Sequence, residues 1–328
     1  MKKALILGAG LVAKPIVRYL LEQPDFEVTV ATRTVSKAEK LINNHPRGKA
    51  VAWTVDDKDT LHKLVKSSDV VVSLLPYIYH IDVAKVCLQH KKHLVTTSYV
   101  KPEMAELDEP AKQNDLLFLN EIGLDPGIDH MTAMRIIHEI ERDNGKVISF
   151  RSFCGALPAP EASDNPIKYK FSWSPRGVLL AGKNSARYLM DGNLVEVPGE
   201  KLFEHSWKLN IPLIGELEAY PNRDSVSYRD QYRLHDAKTI LRATLRYPHW
   251  CATWQAIKKL NLLDEHEENF SGLTWQKFIA NRTGCSEENL KPCVAKFLGV
   301  DETDEVMRRL EWMGIFKNEP LPLEKGTA

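Results

Sequence analysis

An imbalance of charge is missing from this sequence: lysine plus arginine and aspartate plus glutamate both number 44. With no net field, neither nucleic acid nor a membrane surface is recommended as a partner, and a small-molecule ligand is the default. Long hydrophobic runs are missing too. Stretches such as "VVVSLLPYI" at 70–78 fall far short of the roughly 18 residues that a membrane helix needs. The start, "MKKALILGAG", imitates an export signal, but its apolar run is short, breaks at glycines and lacks a small-residue cleavage site. It reads instead as the first β-strand of a cytoplasmic protein. Cysteine is sparse: Cys87, Cys154, Cys251, Cys285 and Cys293 are odd in number, scattered, and form no CxxC pair. Reduced thiols and no metal are expected. Repeats and low-complexity segments are also absent.

What is present is a chain of 328 residues, 43% hydrophobic, enough for two domains and a small third one. In the first part, short apolar runs at 4–7, 28–31, 50–53, 69–75, 93–97 and 116–120 alternate with helical patterns at 12–23, 57–66, 79–90 and 102–114. Strands alternating with helices predict a doubly wound parallel sheet, an α/β Rossmann arrangement. Its first strand-to-helix turn is "GAGLVA", residues 8–13. Gly8 permits the tight turn, Gly10 lets backbone approach a pyrophosphate, and Ala13 is small enough for helix–strand packing. A merely convenient glycine turn is the alternative, and the position after the first strand of such an alternation favours dinucleotide binding.

The end of the second strand selects the dinucleotide. "VTVATRT" offers Thr32, Arg33 and Thr34 where an NAD site would place an acid for the ribose hydroxyls. A guanidinium fork suits a 2′-phosphate, so NADP(H) is expected. "SLLPYIYH" at 73–80 and "TTSYV" at 96–100 follow later strands on the carboxyl edge, where open α/β sheets bind ligands. Ser98 and Tyr99 could reach nicotinamide and substrate there, or the segment could simply cap a helix. "LNEIGLDPGIDHM" at 119–131 ends the last strand and carries Asp125 between two glycines, with Asp129 placed to cap the helix at 130–142.

Beyond this point strands are expected at 146–155, 193–197 and 239–247, the loop 155–175 is rich in Pro, Ser and Asp, and "YKFSW" reads as a strand end on which Lys170 could face a substrate, with a solvated lysine as the safer reading. From 250 to 316 apolar residues recur at helical spacing, with Trp and Met as core. The expected domains are 1–125, a cofactor-binding Rossmann domain; 126–250, an α+β substrate domain; and 251–328, a small helical subdomain with the chain's end.

The segments "SLLPY", "VTTSYV", "NEIGLDPGIDHM", "CGALPAPEASDNPIKYKFSWSPRGVLL", "YPNRDS" and "ATLRYP", in this order, resemble the NADP-dependent, glutamate-forming saccharopine dehydrogenases. The resemblance implies an oxidoreductase of the α-aminoadipate route of lysine metabolism. It would reduce, with NADPH, the imine of 2-aminoadipate 6-semialdehyde and L-glutamate to saccharopine; whether it serves lysine biosynthesis or breakdown is left open. It further implies cofactor contacts at Gly8, Gly10, Leu11, Val12, Thr32, Arg33, Thr34, Leu75, Pro76, Thr97, Ser98, Leu124 and Asp125. Substrate contacts are implied at Ser98, Tyr99, Asp125, Arg223, Thr244, Leu245 and Arg246. Tyr99, Asp125 and Cys154 are the candidates for proton handling, although Cys154 could be a packing thiol and Arg223 could be spent in an ion pair with Asp224. Family members continue past the counterpart of "MGIFKNEPLPLEKGTA", so a shortened chain is implied. An NADP(H)-binding sensor without turnover and a carboxyalkyl-polyamine synthase-type reductase are the other readings, and a homodimer is one option for assembly.

Overall fold

The computed structural model describes residues 1–327. Contact density divides it into two compact units, Met1–Glu139 and Ile140–Ala328.

In the first unit β1 (Lys2–Leu7), α1 (Ala13–Glu22), β2 (Phe26–Thr32), α2 (Val35–Ile42), β3 (Gly48–Ala52), α3 (Lys58–Lys66), β4 (Val70–Ser73), α4 (His80–His90) and β5 (His93–Thr96) alternate strictly. Then come α5 (Pro102–Ala105), α6 (Asp108–Gln113), β6 (Phe118–Leu119) and α7 (Ile128–Arg142), within which the chain passes out of this unit. The six strands are parallel in the order β3-β2-β1-β4-β5-β6. The strand order reverses between β1 and β4, the switch point at which such sheets bind ligands beyond the strand ends. β1 is the most enclosed strand because both its neighbours are paired and Ala4 to Leu7 are at most 1% exposed. The helices lie on it through stripes one turn apart, such as Ala13, Val17 and Leu21 of α1. Residues 102–114, expected as one helix, break into α5 and α6, since Pro110 has no N–H to continue the ladder.

The second unit holds a mixed sheet with β12 (Thr239–Arg246) at its centre. β7 (Ser149–Cys154) runs parallel to it, while β8 (Ala186–Met190) and β11 (Gly215–Pro221) run antiparallel. β9 (Asn193–Val197) and β10 (Trp207–Ile211) complete the edges. Helices α8 (Pro175–Leu180), α9 (Tyr228–Gln231), α10 (Trp250–Lys259), α11 (Trp275–Thr283), α12 (Leu290–Leu298) and α13 (Glu305–Trp312) accompany it. Trp250, Trp254 and Met307 share one core with Tyr169, Phe203 and Tyr220, so the helical stretch after 250 packs as part of this unit.

Two expectations are corrected here. "YKFSW" is not a strand: Asn165 bonds both the N–H and the carbonyl of Tyr169, and Lys168 takes a left-handed φ of 50°, which folds 165–169 back on itself. Lys170 lies at the surface, as its solvated reading has it, tied to Asp164 at 3.0 Å. The cysteines are not all reduced, because Cys285 and Cys293 are joined across the α11–α12 corner, with Cα atoms 5.9 Å apart.

Candidate functional site

The β1–α1 turn is built for a close approach. Gly8 has φ +105°, and a Cβ on it would sit 3.1 Å from the carbonyl oxygen of Leu74. Around Gly10 a Cβ would meet nothing within 4 Å, so that glycine is not required by the protein's own packing. The next residues, Leu11 and Val12, are exposed, and no side chain caps the start of α1. Ala13 N–H bonds Gly10 O at 3.2 Å and Pro15 has no N–H, which leaves Lys14 as the first-turn N–H group without a side-chain cap, the kind of group an anion would take up. At the end of β2, Thr32 is half-buried, Arg33 and Thr34 are exposed, and the guanidinium of Arg33 makes no hydrogen bond or ion pair among the described residues. Next along the edge, Leu75 and Pro76 lead the chain out of β4 into a short turn before α4.

The loop after β5 and the one after β6 are stitched together. Ile122 N–H donates to Thr96 O at 3.0 Å, Glu121 N–H to Ser98 O at 3.2 Å, and Val100 N–H to the Glu121 carboxylate at 2.8 Å. Thr96 Oγ1 donates to Asn120 Oδ1 at 2.8 Å, and His130 Nε2 meets Glu121 Oε2 at 2.7 Å. Tyr99 is thereby brought to Asp125, its hydroxyl donating to Oδ1 at 2.7 Å. The backbone bearing Asp125 is a tight loop in which Gly123 N–H bonds Pro126 O and Ile128 N–H bonds Gly123 O. Gly127, at φ +150°, leaves no room for a Cβ against the Gly123 backbone. The expected role of Asp129 as helix cap is met differently, for it sits in the first turn of α7 and accepts from Gly127 N–H at 2.6 Å.

One residue on this edge was not anticipated. His80, 4% exposed, bridges Ser73 Oγ through Nδ1 and Ser98 Oγ through Nε2, both at 2.9 Å. Burial pushes its pKa down to about 4, so the ring is neutral at pH 7. With Thr96, Tyr99 and Asn120 it lines a cavity of about 230 Å³. Its signal in the sequence was only a histidine after a proline turn; the bonds join residues 7 and 18 positions apart.

In the second unit, Cys154 ends β7 directly opposite Thr244 of β12. It is half-buried, unlike Cys87 and Cys251, whose thiols burial pushes up, for Cys87 to about 12. Thr244 and Leu245 are half-buried and Arg246 is 4% exposed. Its guanidinium donates to Gly155 O at 2.6 Å and Leu245 O at 2.8 Å, and lies over the rings of Tyr169 and Trp250 at about 5 Å. Arg223 is exposed, at φ 51°, and borders a cavity of about 610 Å³ with Arg187, Glu196 and Asp224. The ion pair of Asp224 falls to Arg187, whose fork grips both carboxylate oxygens at 2.9 Å and holds that carboxyl below its ordinary range against the cost of burial. Among the described residues no group of three or more His, Cys, Asp or Glu is placed to hold a metal ion. None of their helices is long and apolar enough to cross a membrane.

Two family models match: the saccharopine dehydrogenase NADP binding domain over residues 4–119 and the saccharopine dehydrogenase C-terminal domain over 123–325. Saccharopine dehydrogenase [NADP(+), L-glutamate-forming] of Schizosaccharomyces pombe is 42% identical over 98% of this chain and 74% of its own length. The enzyme of the same name from Saccharomyces cerevisiae is 39% identical over 97% and 73%. The mitochondrial alpha-aminoadipic semialdehyde synthase of Bos taurus is 37% identical over 98% of this chain but only 36% of its own. Among solved structures, apo saccharopine dehydrogenase (L-Glu forming) from Saccharomyces cerevisiae superimposes with a TM-score of 0.86 over all of this chain and 75% of that one, at 36% identity.

Proposed function

The chain belongs to the saccharopine dehydrogenase family and is an NADP-dependent oxidoreductase, and from that premise we propose the reaction and the residues that carry it. The reaction is the interconversion of L-2-aminoadipate 6-semialdehyde plus L-glutamate with saccharopine. The observation that carries it is that both family domains match in order and nearly end to end, so that every residue given a role below lies inside a matched segment.

The nucleotide-binding half fits NADP(H): a turn with free space at Gly10, an uncapped helix start, and an exposed Arg33 without a protein partner among the described residues. We assign the pyrophosphate to the turn of Gly8, Gly10, Leu11 and Val12, and the 2′-phosphate to Arg33 flanked by Thr32 and Thr34. Leu75, Pro76, Thr97, Ser98 and Leu124 are assigned to the nicotinamide end. The cofactor supplies the hydride when bound; the protein's task is to orient the imine carbon and exclude water.

Condensation passes through a carbinolamine that must lose its hydroxyl as water, which needs a proton delivered to that oxygen. Tyr99 and Asp125 form the donor–acceptor pair suited to hold and return it. Asp125 would also balance the cationic iminium. Among the substrate contacts, Arg223 is the exposed guanidinium beside a cavity and is assigned to a substrate carboxylate. Arg246, already bonded to Gly155 and Leu245, is assigned to holding the Cys154–Gly155 strand end against Thr244 and Leu245. A cytoplasmic setting is part of the proposal.

Saccharopine-dependent reduction of NADP+, followed at the nicotinamide absorbance and repeated with NAD+, tests this. Turnover with a preference for NADP+ is expected. NADPH binding without turnover would replace the enzyme with a sensor.

A further inference from the structure

The bridge of Ser73, His80 and Ser98 has a direction, and it follows from counting donors and acceptors. Ser73 ends β4 with no exposed surface, and its hydroxyl has one side-chain partner among the described residues, His80 Nδ1. A buried hydroxyl that fails to donate costs more than one that leaves a lone pair unused. Ser73 therefore donates to Nδ1. The neutral ring then carries its hydrogen on Nε2, and Nε2–H donates to Ser98 Oγ. With one of its lone pairs engaged, Ser98 keeps its own hydrogen to give, and it is the only one of the three with exposed surface beyond a few per cent.

We propose that His80 is a positioning residue, fixed as the Nε2–H tautomer by Ser73, that holds the Ser98 hydroxyl as a hydrogen-bond donor towards an oxygen acceptor of a bound ligand. This rests on the functional reading above, which puts Ser98 at the ligand. The acceptor is a carbonyl or carboxylate oxygen. It belongs either to the carboxamide of the nicotinamide or to the substrate, and both present that chemistry at this edge of the sheet. A donor chain of this kind is polarised along its length, so the last hydroxyl is a better donor than an isolated serine. The reverse tautomer would turn the Ser98 hydrogen inward and make it an acceptor instead.

The first test needs no variant activity. Side-chain ¹⁵N resonances of the intact ¹⁵N-histidine-labelled chain, with His80 identified by its loss in His80→Gln, report which ring nitrogen carries hydrogen at pH 7. Hydrogen on Nε2 is expected; hydrogen on Nδ1 overturns the proposal whether or not the chain turns over saccharopine. The second test compares His80→Phe, Ser98→Ala and the double variant, measuring the NADPH dissociation constant and the saccharopine KM separately. Each single substitution is expected to raise the same one of these constants by about tenfold, identifying the acceptor as cofactor or substrate. The double variant is expected to be no worse than Ser98→Ala, and His80→Gln, which restores an N–H near Nε2, should recover most of the loss. Additive losses in the double variant would mean that His80 acts on the fold and not through Ser98. If the unaltered chain binds NADPH without turning over saccharopine, the functional reading fails while the tautomer and the NADPH arm still decide the role of His80.

Discussion

His80 is a histidine that the fold keeps uncharged, and this has a thermodynamic consequence separate from any ligand. Its pKa of about 4 lies below the ordinary histidine value of about 6.5, with burial as the cause. Above pH 6.5 the ring is neutral whether folded or unfolded and contributes no pH dependence. As the pH falls from 6.5 towards 4, the unfolded chain takes up a proton that the folded site refuses, so stability is lost across that window. Urea denaturation at pH 7 and pH 5 should show the unaltered chain losing about 2 kcal/mol more than His80→Gln over that interval. Equal losses would mean that the ring is hydrated or already charged in the folded state. At this scale the sequence placed residues whose surroundings are local. Arg33 follows from its place after a strand, and Tyr99 and Asp125 from the motifs around them. His80 was not, because its partners are contributed by a strand end and a loop that only folding brings together.

The β1–α1 turn contains two glycines with different reasons to exist, and the structure separates them. Gly8 is required by the backbone: its φ of +105° is unfavourable for any side chain, and a Cβ would press on the Leu74 carbonyl. Gly10 has open space around it and no positive φ, so the reason for it lies in what approaches from outside. Gly8→Ala is expected to lower stability by roughly 1–2 kcal/mol. Gly10→Ala should leave the melting temperature unchanged or slightly raised while weakening NADPH binding by an order of magnitude or more, read by nucleotide fluorescence titration. Undiminished NADPH affinity in Gly10→Ala would take the pyrophosphate away from this turn. The elements around the turn were readable because hydrophobic period and glycine spacing are properties of a short window. β8, β10 and β11 were not picked out. β10 alternates half-buried and exposed positions, with Lys208 and Asn210 in between, and β11 interleaves Glu216 and Glu218 with its apolar residues. What makes them strands is pairing across the sheet, and that information is not local. The Cys285–Cys293 bond escaped for the same reason, since a spacing of eight says nothing about whether a helix corner will bring two Cα atoms within 5.9 Å.

Across the whole chain the assigned roles fall into two groups: Arg33 and the glycine turn lie in Met1–Glu139, and Arg223 lies in Ile140–Ala328. Each unit has its own sheet and its own buried core, so a surface substitution in one should leave the packing of the other intact. The two arginines are exposed and lie in different units, Arg33 serving a cofactor phosphate and Arg223 a substrate carboxylate in the proposed reading. Losses at independent sites add in free energy. Arg33→Ala is expected to raise the NADP+ KM by about tenfold to a hundredfold, with little change for NAD+, as befits the loss of a charge-assisted contact to a phosphate. Arg223→Ala should raise the saccharopine KM by a similar factor and leave nucleotide affinity alone. In the double variant, the loss in kcat/KM should equal the product of the single losses. A double variant no worse than the poorer single would mean that both guanidiniums serve one ligand group. The division between a nucleotide unit and a substrate unit, which the motifs suggested by their order along the chain, would then have to be redrawn.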